Sequence, residues 1–250
     1  MTFPEGLLQP DESLDDLVLG GLKVIQPRRG YRFSLDAVLL AHFPGPEQPA
    51  EAVDLGTGCG VIPLLLAHRF PGCLCYGLEI QADMVDRARR SVACNRLEQH
   101  IRIFHHDIRS VATLLPAHSA DLVVSNPPFR KVGEGHISQN QSMAIARHEL
   151  QVELAQVIGA AAYLLPAGGR FCLVHRADRV AEIISLLGPS KLGLKRLRTV
   201  HSFPDGPARL VLVEGQKEWR GGADIQSPLV IYDAPGRYSR EIKSLYEGGE

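Results

Sequence analysis

No stretch of this 250-residue chain stays apolar over the roughly 20 positions that a membrane-spanning helix needs. The N-terminus carries Asp11, Glu12, Asp15 and Asp16 and no long apolar core, so neither a secretory leader nor a membrane association is expected. Neither sign of charge is in excess. The 27 Lys and Arg against 28 Asp and Glu give a formal net charge of −1, so no global field points to nucleic acid or to a lipid surface. Contact with RNA would have to come from local patches. The five cysteines, Cys59, Cys73, Cys75, Cys94 and Cys172, contain no C-x-x-C pair, and no Cys/His spacing resembles a zinc site. No metal is expected, and the thiols read as reduced, mostly buried groups of a cytoplasmic protein. Internal repeats, low-complexity segments and a signal for oligomeric state are all missing.

What is present is organised around Ser125-Asn126-Pro127-Pro128-Phe129. The preceding apolar run, Asp121-Leu122-Val123-Val124, reads as a buried strand that ends in a sharp turn. Two prolines fix φ at successive positions and remove two backbone donors. Asn126, placed before a proline, is pushed towards an extended backbone. The corner offers an amide side chain, carbonyl oxygens and an aromatic face. It suits a planar group bearing an NH2, whose two hydrogens the Asn126 amide oxygen and a proline carbonyl accept while Phe129 stacks on the ring.

Upstream, residues 1–16 read as an exposed acidic lead-in. Leu17 to Ile25, with Gly20-Gly21 at the centre, reads as a β-hairpin. Arg28, Arg29, Arg32, Phe33 and Ser34 precede a helix over 37–41 that Ser34 or Asp36 could cap. The proline-rich segment 44–49 divides an N-terminal extension, residues 1–48, from a main domain, residues 49–250. Strands are expected near 52–55, 73–78, 101–105, 121–124, 170–174, 192–200 and 208–214. Helices are expected over 61–70, 81–96, 111–115, 144–165 and 180–187. In the 81–96 helix Met84, Val85, Ala88 and Val92 form the apolar face, with Arg87, Arg89 and Arg90 elsewhere. This alternation predicts an α/β fold with an open, mainly parallel sheet and helices on both faces. Ligands in such sheets lie outside the carboxyl ends of the strands.

Asp54, Glu79, Asp107 and Asn126 all fall at such ends. Asp54-x-Gly56-x-Gly58-x-Gly60 is a glycine turn between strand and helix, where glycine permits positive φ and close backbone approach. A dinucleotide fingerprint would have glycine or alanine where this chain has Val61. A carboxylate before the turn repels pyrophosphate and suits a ligand carrying ammonium and sulfonium groups. Glu79 can accept from two ribose hydroxyls and Asp107 from an adenine amino group. Together these features describe S-adenosylmethionine.

With those residues in place, the chain resembles the class I S-adenosylmethionine-dependent methyltransferases that act on amines through an Asn-Pro-Pro-Tyr/Phe motif. Gly30-Tyr31-Arg32-Phe33-Ser34-Leu35-Asp36-Ala37-Val38-Leu39-Leu40-Ala41, Ala146-Arg147-His148-Glu149 and Pro228-Leu229-Val230-Ile231-Tyr232 narrow the resemblance. It is similar to the bacterial tRNA1(Val) adenine-N6-methyltransferase family, whose members also include predicted O-methyltransferases. The resemblance implies a Rossmann-like, seven-stranded, mostly parallel sheet with its last strand antiparallel, preceded by a small hairpin extension. It implies methyl transfer to N6 of the adenine beside the anticodon. The implied cofactor set is Asp54, Gly56, Thr57, Gly58, Gly60, Glu79, Ile80, Asp107, Ile108 and Asn126. The implied catalytic set is Asn126, Pro127 and Phe129. Phenylalanine replaces the commoner tyrosine at 129, which keeps the stacking face and loses a hydroxyl.

An aromatic amine is a poor nucleophile because its lone pair is delocalised into the ring. Accepting bonds from both N–H groups turns the nitrogen towards tetrahedral geometry and aims the lone pair at the methyl group. Stacking on Phe129 would hold the flipped base by about 1–3 kcal/mol. Arg28, Arg29, Arg32, Phe33, Ser34, Arg130 and Lys131 are the expected RNA contacts around the crevice. Lys191, Lys195, Arg196 and Arg198 read mostly as a solvated face, and the adjacent His105 and His106 point opposite ways as structural or surface groups. Two other readings share part of this pattern. A protein-glutamine methyltransferase uses the same corner but usually carries a separate helical N-terminal domain. A non-catalytic cofactor- or RNA-binding module would usually lack one of the methyl-transfer residues.

Overall fold

The computed structural model describes residues 7–29, 32–128 and 153–247. Strand β1 (Glu12–Asp16) pairs antiparallel with β2 (Lys23–Pro27), and α1 (Leu35–His42) follows. The chain then alternates: β3 (Glu51–Leu55), α2 (Val61–Arg69), β4 (Leu74–Glu79), α3 (Ala82–Cys94), β5 (Ile101–His105), β6 (Leu122–Ser125), α4 (Leu154–Leu164), β7 (Arg170–Arg176) and α5 (Val180–Leu187). The long strands β8 (Leu192–His201) and β9 (Ala208–Lys217) come next. The two-residue strands β10 (Asp224–Ile225) and β11 (Leu229–Val230), a small hairpin of β12 (Tyr232–Ala234) and β13 (Arg237–Tyr238), and α6 (Arg240–Glu247) complete the order.

Seven strands run β8-β9-β7-β6-β3-β4-β5 across the sheet. Only β9 is antiparallel to its neighbours among these, so β8 again runs with β7. The Rossmann-like class I methyltransferase architecture is therefore present as expected, with one addition. β10 and β11 both lie parallel on β8 and extend the sheet to nine strands. Edge strands leave unpaired N–H and C=O groups, and the returning tail covers those of β8.

Alternation along each strand divides the core. Ala52, Cys75, Leu122, Val124, Cys172 and Leu212 face the layer of α1, α2 and α3. Val53, Leu55, Leu78, Val123, Phe171 and Val213 face α4 and α5. By the same parity Asp54 and Glu79 project towards the α2–α3 side. The order in which the chain fills the sheet reverses between the parallel strands β3 and β6, the switch point where a crevice opens at the carboxyl rim.

Several local expectations are corrected. The acidic lead-in contains β1, and the hairpin pairs 12–16 with 23–27, leaving Leu17 and Leu19 as buried loop residues. Glu12 is buried because α3 meets it with two guanidinium groups. Arg87 Nε donates at 3.0 Å, and Arg90 Nη1 and Nη2 donate at 2.6 and 2.7 Å. Arg87, which falls off the apolar face of the helix, is therefore buried as well. The helix expected at 111–115 is a 3-10 turn over Ile108–Thr113. Ser34 occupies the N-cap position of α1 without a side-chain capping bond. Only the later part of the expected 144–165 helix falls in the described residues, as α4.

Candidate active site

The register of the parallel strands assembles the site. Leu55 pairs with Leu78 and Asp54 with Val124, so Gly56, Glu79 and Asn126 come level, one residue or two beyond paired positions. At the spacing of adjacent strands, Asn126 stands about 10 Å from Glu79 across β3. Glu79 pairs with His105, which puts Asp107 two residues past the same level. The Ser125 hydroxyl donates to Leu55 O at 2.8 Å and ties the two strand ends at the switch point. Ser125 is fully buried; the sequence places it at the head of the organising stretch but gives no sign of its side-chain role.

The glycine turn is held from the neighbouring strand. The Gly56 and Thr57 amides both donate to Leu78 O at 2.9 Å. Gly56, Gly58 and Gly60 have φ of +81°, +56° and +83°. A Cβ on Gly56 or Gly58 would meet no atom within 4 Å, so the turn borders open space. At Gly60 a Cβ would lie 3.2 Å from Ala88 Cβ, where α2 and α3 pack closely. Gly77 on β4 was not anticipated. A Cβ there would come within 2.8 Å of Ile103 Cδ1 and 2.9 Å of the Thr57 side chain, so its missing side chain makes room for Thr57.

Asp54 lies beneath this turn, 1% exposed, and neither carboxylate oxygen has a hydrogen-bond partner. Burial pushes its pKa up to about 7, helped slightly by the negative charge of Glu79 and opposed by the neighbouring Thr57 hydroxyl, which itself lacks a well-aligned partner. A buried acid without donors is costly unless a cation or donor from outside completes it. Asp54 therefore fits the ammonium of an amino-acid arm laid over the glycines.

Glu79 is also buried. Its oxygens accept from Gly58 N at 2.9 Å, Ile80 N at 3.0 Å, Gln81 N at 3.0 Å and Gln81 Nε2 at 3.3 Å. Ile80 is half-buried, and its carbonyl contacts the His105 ring at 2.8 Å. Asp107 caps the following 3-10 turn through Arg109 N, and the Arg109 guanidinium holds its carboxyl below the usual range. Ile108 is buried in the core below that turn. Asn126 is partly accessible, Pro127 buried and Pro128 exposed. Phe129, Arg130, Lys131 and the 146–149 segment lie outside the described residues.

Arg28 and Arg29 are exposed just past β2. Arg32 is already engaged. It donates to Ser13 Oγ at 3.0 Å and Pro27 O at 3.1 Å and forms an ion pair with Asp15. The Phe33 amide donates to Gln26 Oε1 at 2.7 Å, Phe33 is partly buried against the α1–α3 core, and Ser34 is exposed. On β8 the cations are more committed than a solvated face. Arg196 binds Phe43 O and Glu214, and Arg198 binds Glu241 at 2.5 and 2.9 Å.

A family model described as methyltransferase small domain matches residues 35–186. The tRNA1(Val) (adenine(37)-N6)-methyltransferase of Porphyromonas gingivalis is 33% identical over 228 residues, covering 86% of this chain and 87% of that protein. A release factor glutamine methyltransferase of Chlorobaculum tepidum is 34% identical over 149 residues, which are 55% of this chain and 49% of that protein. The crystal structure of a predicted O-methyltransferase from Agrobacterium tumefaciens shares the fold, with a TM-score of 0.68 at 22% identity over 85% of this chain and 95% of that one.

Proposed function

This chain belongs to the tRNA1(Val) (adenine-N6)-methyltransferase family, and from that premise we propose that it methylates N6 of the adenine beside the anticodon of tRNA1(Val). Its methyl donor is S-adenosylmethionine, which when bound supplies an electrophilic methyl group on a sulfonium. The observation that carries the reading is the level placement of Gly56, Glu79 and Asn126 above the unpartnered Asp54 carboxylate.

Each side chain then has a stated task. Asp54 takes the ammonium, and the backbone at Gly56 and Gly58 allows the arm to lie close. Glu79 accepts from the ribose hydroxyls by exchanging one or more of its bonds to the turn, since a carboxylate offers about four acceptor sites. Asp107, steadied by Arg109, accepts from the adenine amino group, and Ile80 and Ile108 belong to the walls. The Asn126 amide oxygen and the Pro127 carbonyl accept from the target N6 amine, and Phe129 stacks on the flipped base. As the new N–C bond forms, the methyl group's bond to the sulfonium would break and leave a neutral thioether, while N6 becomes acidic and releases its proton to water, so no strong base is needed. Arg28, Arg29, Arg130 and Lys131 take phosphates. Arg32 joins them only by leaving Asp15. The reaction belongs in the cytoplasm, where its substrate is found.

The glutamine-methylating relative supports the chemistry of the corner, because its acceptor is also a planar NH2. The similarity to it spans only about half of each chain. Nucleoside analysis of tRNA from a deletion strain tests the choice. N6-methyladenosine is expected to disappear from tRNA1(Val). Its persistence, together with loss of a methylated glutamine in a protein, would favour the other acceptor.

A further inference from the structure

The tail after β9 has no task in the chemistry above, yet it builds a surface on the same rim. β11 pairs parallel with Val200 and His201 at the carboxyl end of β8. The Ile231 amide then donates to His201 O at 2.8 Å and the Tyr232 amide to Ser202 O at 3.0 Å, which carries Tyr232 past the strand end. Ser239 closes the small hairpin onto this base, its hydroxyl donating to Val230 O at 2.6 Å and its amide to Ile231 O at 2.9 Å. The Arg198–Glu241 pair and the buried Ile242 anchor α6 beside it.

Four aromatic rings form a continuous run on that base. Tyr232 and Tyr238 stack at 5.2 Å with planes 10° apart. Phe203, in the β8–β9 turn, lies 5.7 Å from Tyr232, and Tyr246 lies 6.3 Å from Tyr238. The run is not hidden, since Phe203 is 40% exposed and Tyr238 38%. Its charged border is mixed, but Asp233 and Glu241 are each paired with an arginine, Arg237 and Arg198. Arg240 and Lys243 are exposed on α6, and Arg237 is exposed beside Asp233, whose carboxyl Arg237 and Lys243 together hold low. Asp205 is the exposed acid in the Phe203 turn.

The position of this run relative to Asn126 follows from the sheet. β8 is three strands from β6 in the order β6-β7-β9-β8 and runs the same way. Through Leu173 and Val213, Ser125 at the end of β6 is level with Leu197, and β8 runs on to His201, so the two carboxyl ends lie about 14 Å apart across the sheet and roughly 20 Å apart in all. That separation corresponds to about six stacked nucleotides at ~3.4 Å each. Tyr246 and Phe33 also pack against the same α1–α3 core, so the run and the arginine segment before α1 lie on one side of the sheet.

We propose that the Phe203–Tyr232–Tyr238 run is a second RNA-binding site, on which an unpaired base near the target adenine stacks while the cations of α6 and the β12–β13 turn take its phosphates. The proposal rests on the tRNA reading above. A rigid, partly exposed aromatic face with cations at its border binds bases without reading their sequence. It steadies the RNA while Asn126 holds the extruded base.

The test measures tRNA affinity of the full-length protein over a salt series for wild type, Phe203→Leu and Phe203→Ala, with cofactor affinity and thermal melting as controls. Both variants should bind tRNA roughly five- to a hundredfold more weakly at every salt concentration. The salt slope should be unchanged, because no charge is removed. Cofactor affinity should also stay unchanged. Photo-crosslinking of wild type to 4-thiouridine-substituted tRNA adds a measurement that needs no variant, and it should label Phe203, Tyr232 or Tyr238. Wild type that methylates tRNA while the variants bind it equally well, or a crosslink map without these residues, overturns the proposal and leaves the function standing. Wild type that binds no tRNA overturns both.

Discussion

Asp54 is the residue at which protonation would be coupled to the proposed cofactor binding. Burial raises its folded-state pKa to about 7, against ~4 for an unfolded aspartate. The folded protein thus holds the proton more tightly, and ligand-free stability falls as pH rises from about 4 to about 7. Asp54→Asn should therefore raise the melting temperature most at pH 8 and least at pH 5, as thermal melts would show. Cofactor binding should follow the opposite trend, because a cation requires the carboxylate. Calorimetric titration should find wild-type affinity for S-adenosylmethionine weakening as pH drops below about 7. In the Asp54→Asn variant the affinity should be about 10- to 100-fold lower and nearly flat with pH. An equal pH dependence in the variant would remove Asp54 from the cofactor site. The aspartate, the glycines and the asparagine corner were legible in the sequence because each is a rare residue choice at a strand end. The roles of Ser125 and Gly77 were not, since they lie in partners on other elements.

At the scale of elements, β1 shows why the N-terminal reading failed. Glu12-Ser13-Leu14-Asp15-Asp16 has no apolar face, so its strand character depends on groups about 75 residues away. Hydrogen bonds from Arg90 and the charges of Arg90 and Arg87 hold the Glu12 pKa at about 2. A lowered carboxyl contributes stability above its unfolded value of about 4.3 that is lost as pH falls towards 2. Glu12→Gln should cost about 1–3 kcal/mol at pH 7, with the difference from wild type shrinking below pH 4 in denaturant titrations. A second element-scale prediction concerns β4. Gly77→Ala should push against Thr57 and Ile103, cost about 1–3 kcal/mol and loosen cofactor binding, because Thr57 belongs to the turn. Unchanged stability and affinity would show that the turn tolerates the extra methyl group. The strand–helix alternation itself was readable because hydrophobic period and turn residues agree, whereas β10 and β11, two residues each, are too short to show a strand period.

For the whole molecule, a net charge of −1 means that tRNA must be met by local cations. Arg28 and Arg29 are exposed just past β2, so if they take phosphates as proposed, Arg28→Ala/Arg29→Ala should weaken tRNA binding and flatten its salt slope by about two units. Filter-binding or anisotropy titrations over a salt series would measure it, and an unaltered slope would place the RNA elsewhere. This electrostatic signature differs from the salt-independent loss expected at Phe203, so the two contacts are separable. The central claim is that Asn126 presents an adenine amine to a methyl group held over Asp54. Its most direct test is a reconstituted reaction of purified protein, S-adenosylmethionine and unmodified tRNA1(Val), read by nucleoside mass spectrometry beside cofactor calorimetry. Wild type should form N6-methyladenosine, while Asn126→Ala should lose at least about a hundredfold in rate and keep its cofactor affinity. N6-methyladenosine formed equally well by Asn126→Ala, or none formed by cofactor-saturated wild type, would contradict the account.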